Sequence, residues 1–107
     1  MSGIGEVLDA LMATIEARRG ADLADSYTAS LLADPARCAK KLGEEGVEAA
    51  LAGALGRPGE LTAEAADVLY HLAVLLAANG VGWQAVAEAL EGRTGRSGHE
   101  EKAGRRR

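Results

Sequence analysis

Five carboxylates form two short clusters in the middle of the chain. The first acidic cluster is Glu44, Glu45 and Glu48, and the second is Glu64 and Asp67. At about 100° per residue, a helix places the first three within an arc of about 100° and the other two about 60° apart. Two such helices lying antiparallel would bring the clusters together. Several carboxylates at one place form an all-oxygen ligand set, which suits Mg²⁺ and also Mn²⁺.

The apolar surroundings of the second cluster give the stronger argument for a metal. Its two acids are the only ones in residues 61–80, and residues 65–78 read AADVLYHLAVLLAA. A helix over about 62–79 is therefore apolar nearly all round, and we expect it to be central and buried. Buried carboxylates that face other carboxylates destabilise a fold unless a cation neutralises them. The pattern thus predicts a divalent metal held between two helices.

Each cluster also has an alternative interpretation without a metal. The first cluster could be a solvated helix face, with Lys40 and Lys41 pairing with its acids at i, i+4. The second cluster could favour the positive end of its helix dipole. The presence of both clusters on adjacent helices favours the shared metal site.

The elements that must position these acids are helices. The chain is rich in Ala and Leu, has no Phe and contains only two prolines, which favours helices over a β-sandwich or barrel. Apolar spacing and capping residues predict helical segments over about 3–19, 26–33, 35–55, 62–79 and 82–92. We therefore expect an all-α bundle of four to five helices with short connections. One domain would span residues 1–94, followed by a charged and flexible tail at 95–107.

Composition narrows the possible functions and partners. The net charge of −4 argues against a nucleic-acid-binding protein. No run of 18 residues is apolar and free of charge, so we predict no membrane span. Cys38 is the only cysteine, which leaves no intramolecular disulfide and favours a reducing cytoplasm. A domain of this size leaves apolar surface uncovered, so we expect a two-fold symmetric homodimer.

Four further side chains are candidates for the site. Arg37, Lys40 and Lys41 precede the first acidic cluster by one to two turns and could contact phosphates. A solvated basic face, or pairing within the helix for Lys40, is the alternative. His71 follows Asp67 by four residues and could orient its carboxylate. A hydrogen-bonded core histidine is the alternative that its apolar neighbours favour.

The acidic pattern resembles a known superfamily. Glu-Glu-x-x-Glu, a spacer and then Glu-x-x-Asp is similar to the MazG-like all-α NTP pyrophosphohydrolases. Further blocks narrow the resemblance: SYT at 26–28 with LL at 31–32, CAKKLGEE at 38–45, EAADVLYHL at 64–72, RTGRSG at 93–98 and EK at 101–102. Together they resemble the phosphoribosyl-ATP pyrophosphatase family over nearly the whole chain.

The resemblance implies an activity and its setting. It implies hydrolysis of phosphoribosyl-ATP to phosphoribosyl-AMP and pyrophosphate, the second step of histidine biosynthesis. It also implies a small-molecule nucleotide substrate, Mg²⁺, a cytoplasmic location and a homodimer. Arg93 and Lys102 would then contact the phosphoribosyl groups. Gly46 departs from the family, whose members commonly have alanine there, but it removes no ligand.

The spacing of the acids suggests which of them bind the metal and which activates the water. Glu45 with Glu48, and Glu64 with Asp67, are matching i, i+3 pairs, so these four are the expected metal ligands. Glu44 or Glu45 is the candidate for orienting or deprotonating the attacking water. Two rival functions stay open: a house-cleaning (d)NTP or dUTP pyrophosphohydrolase with the same metal site, and a non-catalytic helical interaction module that would bind no Mg²⁺.

Overall fold

The fold is made of helices. A computed structural model describes residues 2–94 and contains no strand within that range. Its five helices are α1 Ile4–Ala17, α2 Tyr27–Leu32, α3 Pro35–Ala54, α4 Pro58–Ala78 and α5 Trp83–Glu91. The predicted all-α class is confirmed. The predicted tail at 95–107 lies outside the described residues.

The two longest helices, α3 and α4, form an antiparallel hairpin. Each begins with a proline, which suits a first helical position because its missing N–H needs no partner there. The side chain of Asp34 caps α3 by accepting the backbone N–H of Arg37 at 3.2 Å. The hairpin turn closes where the N–H of Arg57 donates to the carbonyl of Ala52 at 2.9 Å. Gly56 makes the turn possible with a φ of 68°.

The start of α4 was predicted four residues too late. Residues 56–59 read Gly-Arg-Pro-Gly, a segment that can form a turn, and the helix predicted from the sequence therefore begins only at about residue 62. Pro58 instead opens the helix, and the Thr62 hydroxyl donates back to the Pro58 carbonyl at 2.8 Å. Glu64 therefore lies in the second turn of α4, beyond the first turn where a helix dipole acts most strongly. The dipole consequently explains little of why an acid stands there.

The core lies at one end of this hairpin. Ile15 of α1 and Leu31 of α2 pack with Cys38 and with Ala73 and Val74, all fully buried. The core therefore surrounds only the second half of α4. In the first half of α4 most side chains are exposed. The expectation that α4 is buried along its whole length is thus wrong, because α1 and α2 cover only its C-terminal part.

Two hydrogen bonds fix α1 against α4 and α5 against α1. The Arg19 guanidinium donates to the carbonyl of Ala77 at 2.9 Å, which satisfies an acceptor at the end of α4. The Trp83 indole N–H donates to the carbonyl of Leu8 at 3.0 Å and ties α5 to α1. These bonds complete a helical domain around a thin core.

By length and composition alone, α4 is also long and apolar enough to cross a membrane. Core helices of soluble proteins pass the same test, so this is weak evidence. Its C-terminal half packs in the core, and its N-terminal half carries Glu60, Glu64 and Asp67.

Candidate metal centre

Three carboxylates meet between α3 and α4. Glu45 and Glu48 lie one turn apart on α3, and Glu64 faces them from α4. One oxygen from each lies within 4.8 Å of the others. Glu45 and Glu64 are half-buried, whereas Glu48 is exposed. We refer to these three residues as the acidic triad.

Glu64 is the electrostatic centre of the triad. Its Oε2 atom is buried and has no hydrogen-bond partner among the described residues. A hydrogen bond with Glu45, which needs a proton between the two carboxyl groups, favours the neutral form of Glu64. Partial burial and the nearby Glu48 carboxylate favour the neutral form as well. Together they raise the pKa of Glu64 to about 7. Without a cation, the folded chain therefore holds this carboxyl partly protonated near neutral pH.

The triad fits a hard divalent cation. A buried carboxylate oxygen without a partner is costly, and three facing carboxylates repel one another when all are ionised. A divalent ion would satisfy the oxygen and neutralise the charge. The donor set contains only oxygens, which matches Mg²⁺, an ion that commonly keeps several waters beside a few carboxylates.

The other two predicted acids lie outside the triad. Asp67 is exposed, and it is its backbone carbonyl that accepts a hydrogen bond from His71 Nδ1, at 2.8 Å. His71 therefore contacts the main chain of Asp67 by this bond. Glu44 is exposed and lies 3.9 Å from Lys41 Nζ. Lys41 thus pairs with Glu44 at i, i+3, and not with Glu45 at i, i+4 as the spacing predicts.

The predicted phosphate-binding residues are spread over the molecule. Lys40 and Arg37 are exposed on α3 before the triad, and the Arg37 guanidinium carbon lies 5.7 Å from the centre of the Tyr27 ring. Arg93 is exposed in the turn after α5. Lys102 lies outside the described residues.

His71 joins α4 to α2 in a way that the sequence did not suggest. It is buried, and its Nε2 lies 3.2 Å from the hydroxyl of Tyr27. Its Nδ1 faces a carbonyl and must be the donor there, so the neutral tautomer that carries its proton on Nδ1 accepts at Nε2 from the Tyr27 hydroxyl. The SYT block was the available signal for this contact, but spacing alone does not show which residue Tyr27 meets.

A cavity of about 320 Å³ opens beside the triad and was also missed. It borders Glu48 and Glu64, and its wall includes Arg57 and Glu60, which lie 3.7 Å apart. The signal was Pro58, because a helix that begins there places Glu60 one turn before Glu64. The cavity gives a small ligand access to the acids.

Comparison with known proteins identifies relatives over almost the full chain. Residues 8–94 match the family model described as "Phosphoribosyl-ATP pyrophosphohydrolase". Three similar proteins carry the name "Phosphoribosyl-ATP pyrophosphatase". That of Caulobacter vibrioides is 57% identical over 100 residues and covers 94% of both chains. That of Cereibacter sphaeroides is 55% identical over 100 residues, with 92% of this chain and 97% of the relative covered. That of Methylobacterium radiotolerans is 58% identical over 97 residues, covering 90% and 91%.

Proposed function

The chain belongs to the phosphoribosyl-ATP pyrophosphohydrolase family, and we propose that it carries out this hydrolysis with a Mg²⁺ ion held by the acidic triad. The reaction converts phosphoribosyl-ATP and water into phosphoribosyl-AMP and pyrophosphate, a step of histidine biosynthesis. The observation that carries the metal proposal is the buried Glu64 oxygen without a partner, facing two further carboxylates. When bound, the ion would neutralise phosphate charge and polarise the reacting groups.

The chain's own residues divide into three roles in this proposal. Glu45, Glu48 and Glu64 hold the cation from both helices. Asp67, one turn beyond Glu64 on α4, is the proposed fourth ligand, supplied when its exposed side chain changes rotamer. Mn²⁺ fits the same oxygen donors and is the expected substitute ion.

The attacking water needs a carboxylate that is not fully used by the ion. Glu44 or Glu45 is proposed for this role. Glu44 stands outside the triad beside Lys41, while Glu45 is part of it. Separate glutamine variants distinguish them. The variant that lowers kcat while keeping the affinity for Mg²⁺ identifies the residue that orients water.

The basic side chains of α3 are proposed to bind the negatively charged substrate. Arg37, Lys40 and Lys41 lie on the helix before the triad and offer charge-assisted hydrogen bonds to phosphates. Arg93 and Lys102 are proposed to contact the phosphoribosyl groups from the C-terminal part of the chain. The family resemblance and their positive charge support this role.

The decisive experiment measures pyrophosphate release and metal binding together. Glu48→Gln and Asp67→Asn should lower turnover of phosphoribosyl-ATP by about a hundredfold or more, because each removes a charged ligand from the metal site. Glu88→Gln on α5 is the matched control, since it changes an exposed glutamate outside the triad. Wild-type turnover in either ligand variant would show that the proposed ligand set is wrong.

The same assay separates the two rival functions. A house-cleaning enzyme would release pyrophosphate from dUTP or another free nucleotide faster than from phosphoribosyl-ATP. A non-catalytic module would show no heat of Mg²⁺ binding in calorimetry and no pyrophosphate release. The family match over residues 8–94 favours phosphoribosyl-ATP over both.

A homodimer is proposed because the hairpin exposes a row of apolar side chains. Val47 and Leu51 on α3 and Leu55 at its C-terminal cap recur every four residues and are 57–62% exposed. Leu61 of α4 faces Gly53 of α3 and is 38% exposed. Burial of this stripe against a second copy would remove apolar surface that a small core leaves uncovered. We also propose that the protein works in the cytoplasm, where its free Cys38 stays reduced.

A further inference from the structure

An exposed aromatic side chain stands at the core end of the α3–α4 hairpin, away from the acidic triad. Tyr27, the first residue of α2, is 47% exposed although its hydroxyl reaches the buried His71. The guanidinium carbon of Arg37 lies over the Tyr27 ring at 5.7 Å from its centre. No role in metal binding or water activation uses either residue.

The Tyr27 ring is held firmly. The Tyr70 ring stacks nearly parallel to it, with centroids 6.3 Å apart and planes inclined by 16°. Tyr70 is itself fixed by a hydrogen bond of 2.5 Å between its hydroxyl and that of Thr28. His71 fixes the Tyr27 hydroxyl at 3.2 Å. A ring held at its hydroxyl and by a neighbouring ring is a preorganised platform for the arginine above it.

Arg37 keeps its hydrogen-bonding edge free. A guanidinium above an aromatic ring uses its face for the contact and leaves its in-plane N–H groups available. Within residues 2–94, none of the ion pairs includes Arg37. The free edge of a guanidinium matches two oxygens of a phosphate, which it binds in a bidentate manner.

The platform and the triad share one side of the hairpin. Cys38 Sγ lies 3.4 Å from the carbonyl of His71, which places these two residues at the same level of α3 and α4. Glu45 lies seven residues after Cys38, and Glu64 lies seven residues before His71, so both acids are nearer to the hairpin turn. Seven residues make nearly two full turns and a rise of about 10 Å, so Glu64 shares the α4 face of His71, and Arg37 shares the α3 face of Glu44, the residue next to Glu45. A long substrate could therefore contact both places.

We propose that Arg37, held over Tyr27, binds the phosphate of the phosphoribosyl group and so distinguishes phosphoribosyl-ATP from ATP. This inference rests on the proposed function, since it places the triphosphate at the acidic triad. The phosphoribosyl group is attached to the base, at the end of the nucleotide that is remote from the triphosphate. An anion subsite about 10 Å from the triad is where that group would arrive. Tyr27 and His71 are positioning residues for Arg37.

The test compares two ligands that differ by the phosphoribosyl group. Binding of phosphoribosyl-AMP and of AMP is measured by calorimetry in the presence of Mg²⁺, with wild-type protein. The expected preference for phosphoribosyl-AMP is about tenfold to hundredfold, the size of a charge-assisted hydrogen bond. Arg37→Gln should remove most of this preference. Arg37→Lys should retain part of it, because lysine keeps the charge but loses the bidentate edge.

The controls separate recognition from folding and from general charge. Arg18→Gln removes another exposed arginine, at the C-terminus of α1, and should leave the preference unchanged. Tyr27→Leu should weaken the preference by removing the platform, and Tyr27→Phe should recover most of it by restoring the ring. In turnover assays Arg37→Gln should raise KM for phosphoribosyl-ATP more than it lowers kcat.

Two results would overturn the inference. One is a wild-type protein that binds both ligands equally, and the other is an Arg37→Gln variant with the wild-type preference. If the wild-type protein hydrolyses phosphoribosyl-ATP, either result rules out the subsite and leaves the proposed function intact. If the wild-type protein does not hydrolyse phosphoribosyl-ATP, the proposed function fails instead.

Discussion

At the scale of single residues, the environment of Glu64 is the main reason to expect a metal ion. Among residues 2–94, Glu64 is the one that combines a buried unpaired oxygen, two facing carboxylates and a pKa raised to about 7. Its neighbour on the same helix, Asp67, is exposed instead. The two acids that looked equivalent in the sequence therefore differ in environment.

The raised pKa of Glu64 predicts the pH dependence of stability without metal. The ordinary value is 4.5 and the folded value is about 7, so the folded chain binds a proton that the unfolded chain releases. The free energy of unfolding should therefore fall as pH rises from about 4.5 to about 7. Thermal melts in the presence of a chelator should show a lower Tm at pH 8 than at pH 5.5. Glu64→Gln should flatten this part of the profile.

The same proton should compete with the metal. Because Mg²⁺ binding requires ionised carboxylates, the affinity should be about tenfold lower at pH 6 than at pH 8. Calorimetry in buffers of different ionisation enthalpy should also detect proton release on Mg²⁺ addition at pH 6. An affinity that does not change with pH would mean that Glu64 is not a ligand.

At the scale of the elements, the helices depend on their ends and on their glycines. Gly46 lies inside α3 between two triad residues, where an added Cβ would meet no atom within 4 Å. Gly80 follows α4 with a φ of 68°, a conformation that residues with a Cβ adopt at a cost. A side chain can therefore be added at position 46 without strain, whereas at position 80 the backbone conformation disfavours it.

Alanine at these two positions should change stability in opposite directions. Gly46→Ala should raise the free energy of unfolding by about 0.5–1 kcal/mol, because it removes backbone freedom from the unfolded chain. Gly80→Ala should lower it by about 1 kcal/mol, because it forces a side chain into the left-handed region. Urea unfolding of the Mg²⁺-free protein measures both. A destabilised Gly46→Ala variant would contradict the open space beside α3.

At the scale of the whole molecule, apolar surface is left on two sides. The stripe of Val47, Leu51 and Leu55 lies on the hairpin near the acidic triad. Leu90 of α5 is also exposed and borders a separate apolar groove between α1, α4 and α5. The core is too thin to cover both surfaces, which is why an assembly is expected.

Assembly through the hairpin stripe predicts which substitution gives monomers. Leu51→Lys should convert a dimer into a monomer in analytical ultracentrifugation, because it places a charge in the middle of the buried stripe. Leu90→Lys is the matched control at similar exposure on the other surface and should leave the dimer intact. If Leu90→Lys gave monomers and Leu51→Lys did not, the dimer interface would instead lie at the groove between α1, α4 and α5.

Much of the fold could be predicted because helix formation depends mainly on local sequence. Asp34 with Pro35 marks the start of α3 by cap and ring chemistry, and this start was predicted correctly. The start of α4 was missed because a Gly-Arg-Pro-Gly segment can form a turn or open a helix. The C-terminal cap of α3 decides between them, since the N–H of Arg57 donates to the carbonyl of Ala52 and Gly56 takes a positive φ. These residues are only five apart, so the signal was local, and it lay in the pairing of Gly56 with the end of α3.

The sequence by itself determined the residue types and their phase on each helix. The i, i+3 spacing of Glu45 and Glu48 already placed both on one face, because helical geometry repeats every 3.6 residues or so. Only the tertiary structure decided that Glu64 meets them while Asp67 stays exposed, and that Tyr27 joins His71 and Arg37. Those outcomes depend on the register between helices and on where α1 and α2 cover α4. Register is fixed by packing and by long-range hydrogen bonds, which no local pattern contains.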